Sequence, residues 1–141
     1  MTGVIKNKHG KRIEIYDSTL RDGAQAESVG FSLEDKLMIT KKLDESSIDY
    51  IEGGWPNKTN PKDQEFFKQA RILKLKHAKI VAFGSTKRAN SAVGSDETLR
   101  NLLDADTEII TIFGKSWDFH VKEVLRVSLK TNLNLIEESL K

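Results

Sequence analysis

RIEIYDSTLRDGAQ, residues 12–25, runs from an apolar strand into a polar turn where Asp17, Arg21, Asp22 and Gln25 crowd around Gly23. An apolar run that stops at a cluster of small polar residues and glycine reads as a strand ending in a turn. Two carboxylates beside a guanidinium leave two readings open. The turn is a structural ion-pair cluster, or it holds a metal ion together with an anionic substrate.

Upstream, GVIKNKHGKRIEIYD reads as two short extended runs about an Asn-Lys-His-Gly turn. Downstream, Ser32 with Asp35 three residues on has capping-box spacing and starts a helix, whose Leu33, Leu37, Ile39 and Leu43 form one face to bury. IDYIEGG is a second strand, with Ile48, Tyr50 and Glu52 on one side and Ile51 on the other. Gly53, Gly54, Trp55 and Pro56 then read as its terminating loop. Pro61 sits where a helix starts, and Phe66, Ala70 and Leu73 give that helix an apolar stripe.

KIVAFG is a third strand, STKRANSAVGSD a polar loop, and Leu99, Leu102 and Leu103 mark a short third helix. EIITIF has the β-branched run expected of a strand covered on both faces. Beyond GKSWD, apolar residues recur with helical spacing at Val121, Val124, Leu125, Leu129, Leu133, Ile136 and Leu140, with room for a break on the way. Strand and helix thus alternate four times at about thirty residues per unit, the length of a βαβ repeat. Such alternation means a parallel sheet, doubly wound or barrel. Pattern alone does not choose between them.

Composition narrows the function. With 38% hydrophobic and 31% charged residues over 141 positions, the chain is an ordinary globular α/β sequence. A net charge of +2 from 23 basic and 21 acidic residues leaves no basic tract for nucleic acid. It has no cysteine, so no disulfide and no thiolate metal site. No run of eighteen apolar residues and no signal-peptide core occurs, which makes a cytoplasmic protein without a membrane partner the expectation. Glycine fingerprints for a dinucleotide and a lysine-bearing phosphate loop are both missing.

DSTLRDGAQ resembles the signature of the metal-dependent Claisen-type condensing enzymes and lyases, the family of isopropylmalate, homocitrate and citramalate synthases and hydroxymethylglutaryl-CoA lyase. YIEGGWPNKTNPKD, KIVAFGSTKRAN and TIFGKSWDFHVKEVLR resemble the matching segments of its citramalate-forming branch. The resemblance implies an α/β fold, the N-terminal half of a TIM (β/α)8 barrel. Eight units make a barrel and four are present, so residues 1–141 are expected to be an incomplete N-terminal part of a catalytic domain. The second half of the barrel and any regulatory domain would lie outside this chain.

The same resemblance assigns roles. Arg21 is expected to steady an enolate oxygen, Asp22 to ligate a divalent metal (Mg, Mn or Zn), and Glu52 to hold the guanidinium or a metal-bound water. Asp17 is expected to orient the turn and Arg21, and Gln25 to support the site from behind. Phe83, Ser85 and Phe113 either line a keto-acid pocket or belong to core and turn; both readings stand. His9, His77 and His120 lack the His-x-His spacing of a metal pair, so the histidine ligands and the catalytic base are expected elsewhere. Trp55 and Trp117 lie in loops, where they either shape the pocket or pack over the barrel rim, packing being the reading preferred.

The implied reaction joins acetyl-CoA, as co-substrate, to pyruvate with release of CoA, in a homodimeric enzyme of isoleucine synthesis. Rival readings are a bulkier keto acid, a half-barrel acting only as an oligomerising module, and a lyase running the reverse reaction, which the later segments disfavour.

Overall fold

The computed structural model describes residues 6–141. Of the first extended run, residues 3–5 lie outside the described residues; the turn that follows is present, with Gly10 N donating to Asn7 O at 2.9 Å and Lys6 bridged antiparallel to Arg12. Four strands alternate with four α-helices: β1 (Tyr16–Asp17), α1 (Leu33–Glu45), β2 (Tyr50–Gly54), α2 (Pro61–Ala70), β3 (Lys79–Ser85), α3 (Glu97–Asp104), β4 (Ile109–Phe113) and α4 (Leu129–Leu140).

All strand pairs are parallel and the sheet order is β1-β2-β3-β4. Sequential order is what successive βαβ units of a barrel produce, whereas a doubly wound sheet reverses direction at a switch point. The helices accordingly collect on one face. Ile51, Ala82, Ile80, Ile110 and Ile112 point to that side and join Phe66, Phe67, Ala70 and Leu102 in the core. The register pairs Tyr16 with Tyr50, Glu52 with Val81, and Phe83 with Thr111, so these residues share the opposite face. There Tyr16 and Phe113 are 42% and 48% exposed. The molecule is an α/β half-barrel, and among the described residues β1 and β4 each pair on one side only.

Local signals in the chain explain most element starts. Ser32 Oγ accepts from Asp35 N at 3.0 Å while Asp35 accepts from Ser32 N at 2.9 Å, a complete capping box. Asn60 caps α2 with Pro61 in the first turn, and Asp96 and Ser128 cap α3 and α4. The break expected in the last helix falls at Arg126, whose left-handed φ of 56° separates a short π-helix, His120–Leu125, from α4.

Several expectations need correction. Gly53 and Gly54 belong to β2, not to a loop, because α2 packs against them through a bulge: Glu52 pairs with Val81 but Gly54 with Ala82. A Cβ on Gly53 would stand 2.5 Å from Phe66 Cε1, and one on Gly54, at φ 146°, would overlap the Asp63 carboxylate. The apolar face of α1 is only half-buried; its most buried line is Lys36, Thr40 and Asp44. Leu73 follows α2 instead of lying within it, and Leu103 is 69% exposed. Strand β4 is half-buried along Ile109–Ile112, since among the described residues it is an edge strand paired only with β3. His77 lies in the approach to β3, seven residues past the end of α2.

Candidate active site

The turn after β1 is shaped by Asp17, which accepts from Thr19 N and Thr19 Oγ1, both at 3.0 Å. This Asx-type turn lets Arg21, Asp22 and Gly23 all donate their backbone N–H to Ser18 O. Leu20 drops into the core, 1% exposed, so its neighbour Arg21 is carried back over the open face of the sheet. Among the described residues both Asp17 oxygens accept from Thr19 and neither accepts from Arg21.

Arg21 is held from three sides. Its Nε donates to Glu52 Oε2 at 2.6 Å, Nη1 donates to Asp22 Oδ1 at 2.9 Å, and Cζ stands 4.0 Å from the centroid of the Phe83 ring. A guanidinium over an aromatic face is attracted to the ring quadrupole while its edge stays free for hydrogen bonds. Phe83 is itself braced edge-on by Trp55, at 5.7 Å and 84°. Nη2 donates no hydrogen bond among the described residues, which leaves the fork free to take an oxygen ligand.

Glu52 sits inside β2 and not at its end, with its side chain only 2% exposed. A carboxylate so placed is tolerable only when its oxygens are matched by donors. Oε2 receives Arg21, and Oε1 receives the Tyr16 hydroxyl at 2.8 Å. Burial pushes the Tyr16 phenol up to about 12, and the adjoining Glu52 carboxylate adds to the rise against the opposing hydrogen bond of Thr111. The ring of Tyr16 remains well exposed, but its hydroxyl lies between Glu52 and Thr111, where a second negative charge is disfavoured.

The remaining expected residues divide. Gln25 is exposed, and with Arg21 and Trp55 it borders a cleft of about 200 Å³. Ser85 turns its hydroxyl to Thr86 O at 3.1 Å, and Phe113 lies at the exposed end of β4 with Lys115 Nζ 4.9 Å from its ring centroid. Trp117 is 57% exposed and meets the rings of Phe119 and His120, at 5.0 Å and 4.6 Å between centroids. Trp55 packs, and its partner is the ring that carries Arg21.

Asp22 presents the hard oxygen a divalent cation requires. Its side chain is 64% exposed, and among the described residues Oδ2 accepts no hydrogen bond. No three His, Cys, Asp or Glu side chains converge among the described residues, so Asp22 fits as one donor of a site whose other donors are not found here.

Sequence reasoning missed the groups that brace this arrangement. Tyr16 and Thr111 were signalled by strand alternation, which sets both on the Glu52 face. Lys36, 2% exposed, pairs with Asp63, whose Oδ2 also accepts Trp55 N at 2.9 Å and Asn60 Nδ2 at 2.8 Å. Burial lowers the Lys36 ammonium, with Asp63 opposing the fall. Nothing in the spacing of a single lysine on an amphipathic helix marked it as buried.

A family model described as HMGL-like matches residues 12–141. The chain belongs to the HMGL-like family. Among its HMGL-like relatives, the (R)-citramalate synthase of Geobacter sulfurreducens is 56% identical over 128 residues, covering 91% of this chain and 24% of that protein. That of Aquifex aeolicus is 52% identical over 130 residues, covering 92% and 24%. The 2-isopropylmalate synthase of Sulfolobus acidocaldarius is 30% identical over 139 residues, covering 99% and 34%. The chain thus spans about a quarter of the length of the curated (R)-citramalate synthases it matches. In fold, the HMGL-like chain superposes on the HMG-CoA lyase of Bacillus subtilis with a TM-score of 0.66 at 19% identity, covering 91% of this chain and 41% of the lyase.

Proposed function

We propose that the chain forms the N-terminal part of the catalytic barrel of a longer enzyme that condenses acetyl-CoA with pyruvate to give (R)-citramalate and CoA. The observation that carries this reading is the Arg21–Glu52 pair, which joins the turn at the C-terminal end of β1 to the open face of β2 with Phe83 beneath the guanidinium; barrels of this type assemble their sites at that end of the strands. The choice of keto acid is supported by identities of 52% and 56% to (R)-citramalate synthases against 30% to a 2-isopropylmalate synthase.

In the reaction a base removes a proton from the acetyl methyl group, the carbanion carbon bonds to the keto carbon, and water cleaves the thioester to free CoA. Arg21 supplies fixed positive charge where oxygen becomes anionic, and its free Nη2 is the donor available for that oxygen. Glu52 aims the guanidinium and keeps it paired. A divalent metal held by Asp22 with donors from outside these residues supplies Lewis-acid polarisation of the keto group when bound. The catalytic base, most CoA contacts and the homodimer interface belong to the remainder of the enzyme. The described helices include none long and apolar enough to cross a membrane, which is compatible with a cytoplasmic biosynthetic enzyme.

The decisive assay uses the complete protein containing this chain, measuring CoA release with pyruvate and with 2-oxoisovalerate. Pyruvate-dependent release is expected; release with 2-oxoisovalerate alone would transfer the reading to the 2-isopropylmalate reaction. The one-sided pairing of β1 and β4 supports a second reading, in which the chain alone acts only through association of its edges. Mass in solution separates them: a complete, active protein of defined stoichiometry excludes it, whereas an oligomer of this chain without turnover supports it.

A further inference from the structure

We propose that Tyr16 is a positioning residue, which together with Thr111 locks the Glu52 carboxylate so that one oxygen stays committed to Arg21. The inference rests on the functional reading above and extends it to two residues on the open face of the sheet. The Tyr16 hydroxyl is 2.8 Å from Glu52 Oε1 and 2.8 Å from Thr111 Oγ1. A phenol has one proton, and an ionised carboxylate only accepts. The proton therefore goes to Glu52, and the Thr111 hydroxyl donates to the Tyr16 oxygen.

The bonds form a chain with one direction: Thr111 to Tyr16, Tyr16 to Glu52 Oε1, with Arg21 Nε arriving at Glu52 Oε2. It crosses the open face of the sheet from β4 to β1 and on to β2. Because each oxygen carries a donor fixed in place by its own segment, the Glu52 carboxylate is held against rotation. Its role is to aim Arg21, and Tyr16 is what keeps it aimed. Successive donors in such a chain strengthen one another, so removing one loosens the next.

The test uses the complete protein with Tyr16→Phe, Thr111→Val and the double variant, read by kinetics and by crystal structures. Tyr16→Phe is expected to lower kcat roughly tenfold while KM for pyruvate changes by less than about twofold, the pattern of an interaction made in the transition state. Thr111→Val, which is nearly isosteric, should lower kcat in the wild-type background and add nothing in the Tyr16→Phe background, because it acts through that hydroxyl. Thr111→Ser should recover much of the loss. In the Tyr16→Phe crystal structure the Glu52 carboxylate should turn and its contact with Arg21 Nε lengthen.

Unchanged kcat, additive losses, or a carboxylate that stays in place would overturn the proposal. If the unaltered protein shows no turnover with pyruvate, the functional reading fails, and the crystal structures still decide the positioning role. Should Tyr16→Phe fail to fold, Thr111→Val alone decides it, since loss of one hydroxyl contact with retained shape leaves the sheet intact.

Discussion

The guanidinium carbon of Arg21 stands 4.0 Å from the centre of the Phe83 ring, and that ring is in turn met edge-on by Trp55. Three separate segments, the turn after β1, the strand β3 and the loop after β2, thereby meet at one charged group. Aromatic support lets a guanidinium lose part of its hydration without losing its charge.

Phe83→Leu keeps apolar bulk but removes the ring face. The expected loss is about 1–2 kcal/mol, from the cation–π contact and the aromatic pair together. Urea denaturation measures it, and Phe83→Tyr should retain most of the stability. An equal loss for both variants would mean that volume and not the ring face is what matters.

Gly53→Ala inserts a methyl group against Phe66, whose ring is fully buried, with the nearest atom 2.5 Å from the new carbon. Phe67 Cε1 stands 3.1 Å from the same carbon, so two buried rings would have to shift to admit the methyl group. Overpacking of this kind costs about 1–3 kcal/mol, and the midpoint of chemical unfolding should fall accordingly. The same change at Gly30, where no atom lies within 4 Å, should leave the midpoint within about 0.5 kcal/mol of wild type.

Asp44 contributes to acid stability. Burial resists its ionisation, but the backbone N–H groups of Ala78, Lys76 and His77 outweigh that resistance and hold the carboxyl below the usual range. A carboxyl that is more acidic folded than unfolded contributes stability present above its unfolded value near 4, and that contribution is lost as pH falls through the folded value. Asp44→Asn should be less stable than wild type at pH 6, with the gap closing as pH falls below the unfolded value near 4. Thermal melts across that range check it; a constant gap would show that charge is not the cause.

Arg21 and Asp22 are adjacent but are assigned different work. In the complete enzyme Arg21→Lys should lower kcat by about 100-fold, since an ammonium cannot reproduce the fork. Its Mn²⁺ affinity should stay within a few-fold of wild type. Asp22→Asn should weaken Mn²⁺ first, seen by titration of the free ion. The reverse pattern would exchange the two roles.

Elements whose cause is local were legible in the chain. Ser32 and Asp35 cap α1 through neighbouring backbone groups, Pro61 starts α2 because its ring presets φ, and four apolar runs separated by helices imply parallel pairing. Alternation within YIE also sets Glu52 opposite Ile51, as observed. Gly53 and Gly54 read as a loop because glycine usually marks one, yet here they are strand residues made small by the approach of α2.

Burial of charge has no local signature. Lys36 shares α1 with Lys41 and Lys42, which are exposed, and its own burial depends on the arrival of Asp63 from α2. Likewise Asp44 finds its donors in a segment more than thirty residues away. The amino-acid order alone determined the βα repeat, the helix starts and the residue types gathered after the first strand, because each depends on neighbours within a few positions. Which carboxylate pairs with Arg21, what supports its ring face, and the side of the sheet left open were decided only when strands distant in sequence came into register, since a hydrogen bond of 2.6 Å answers to distance in space.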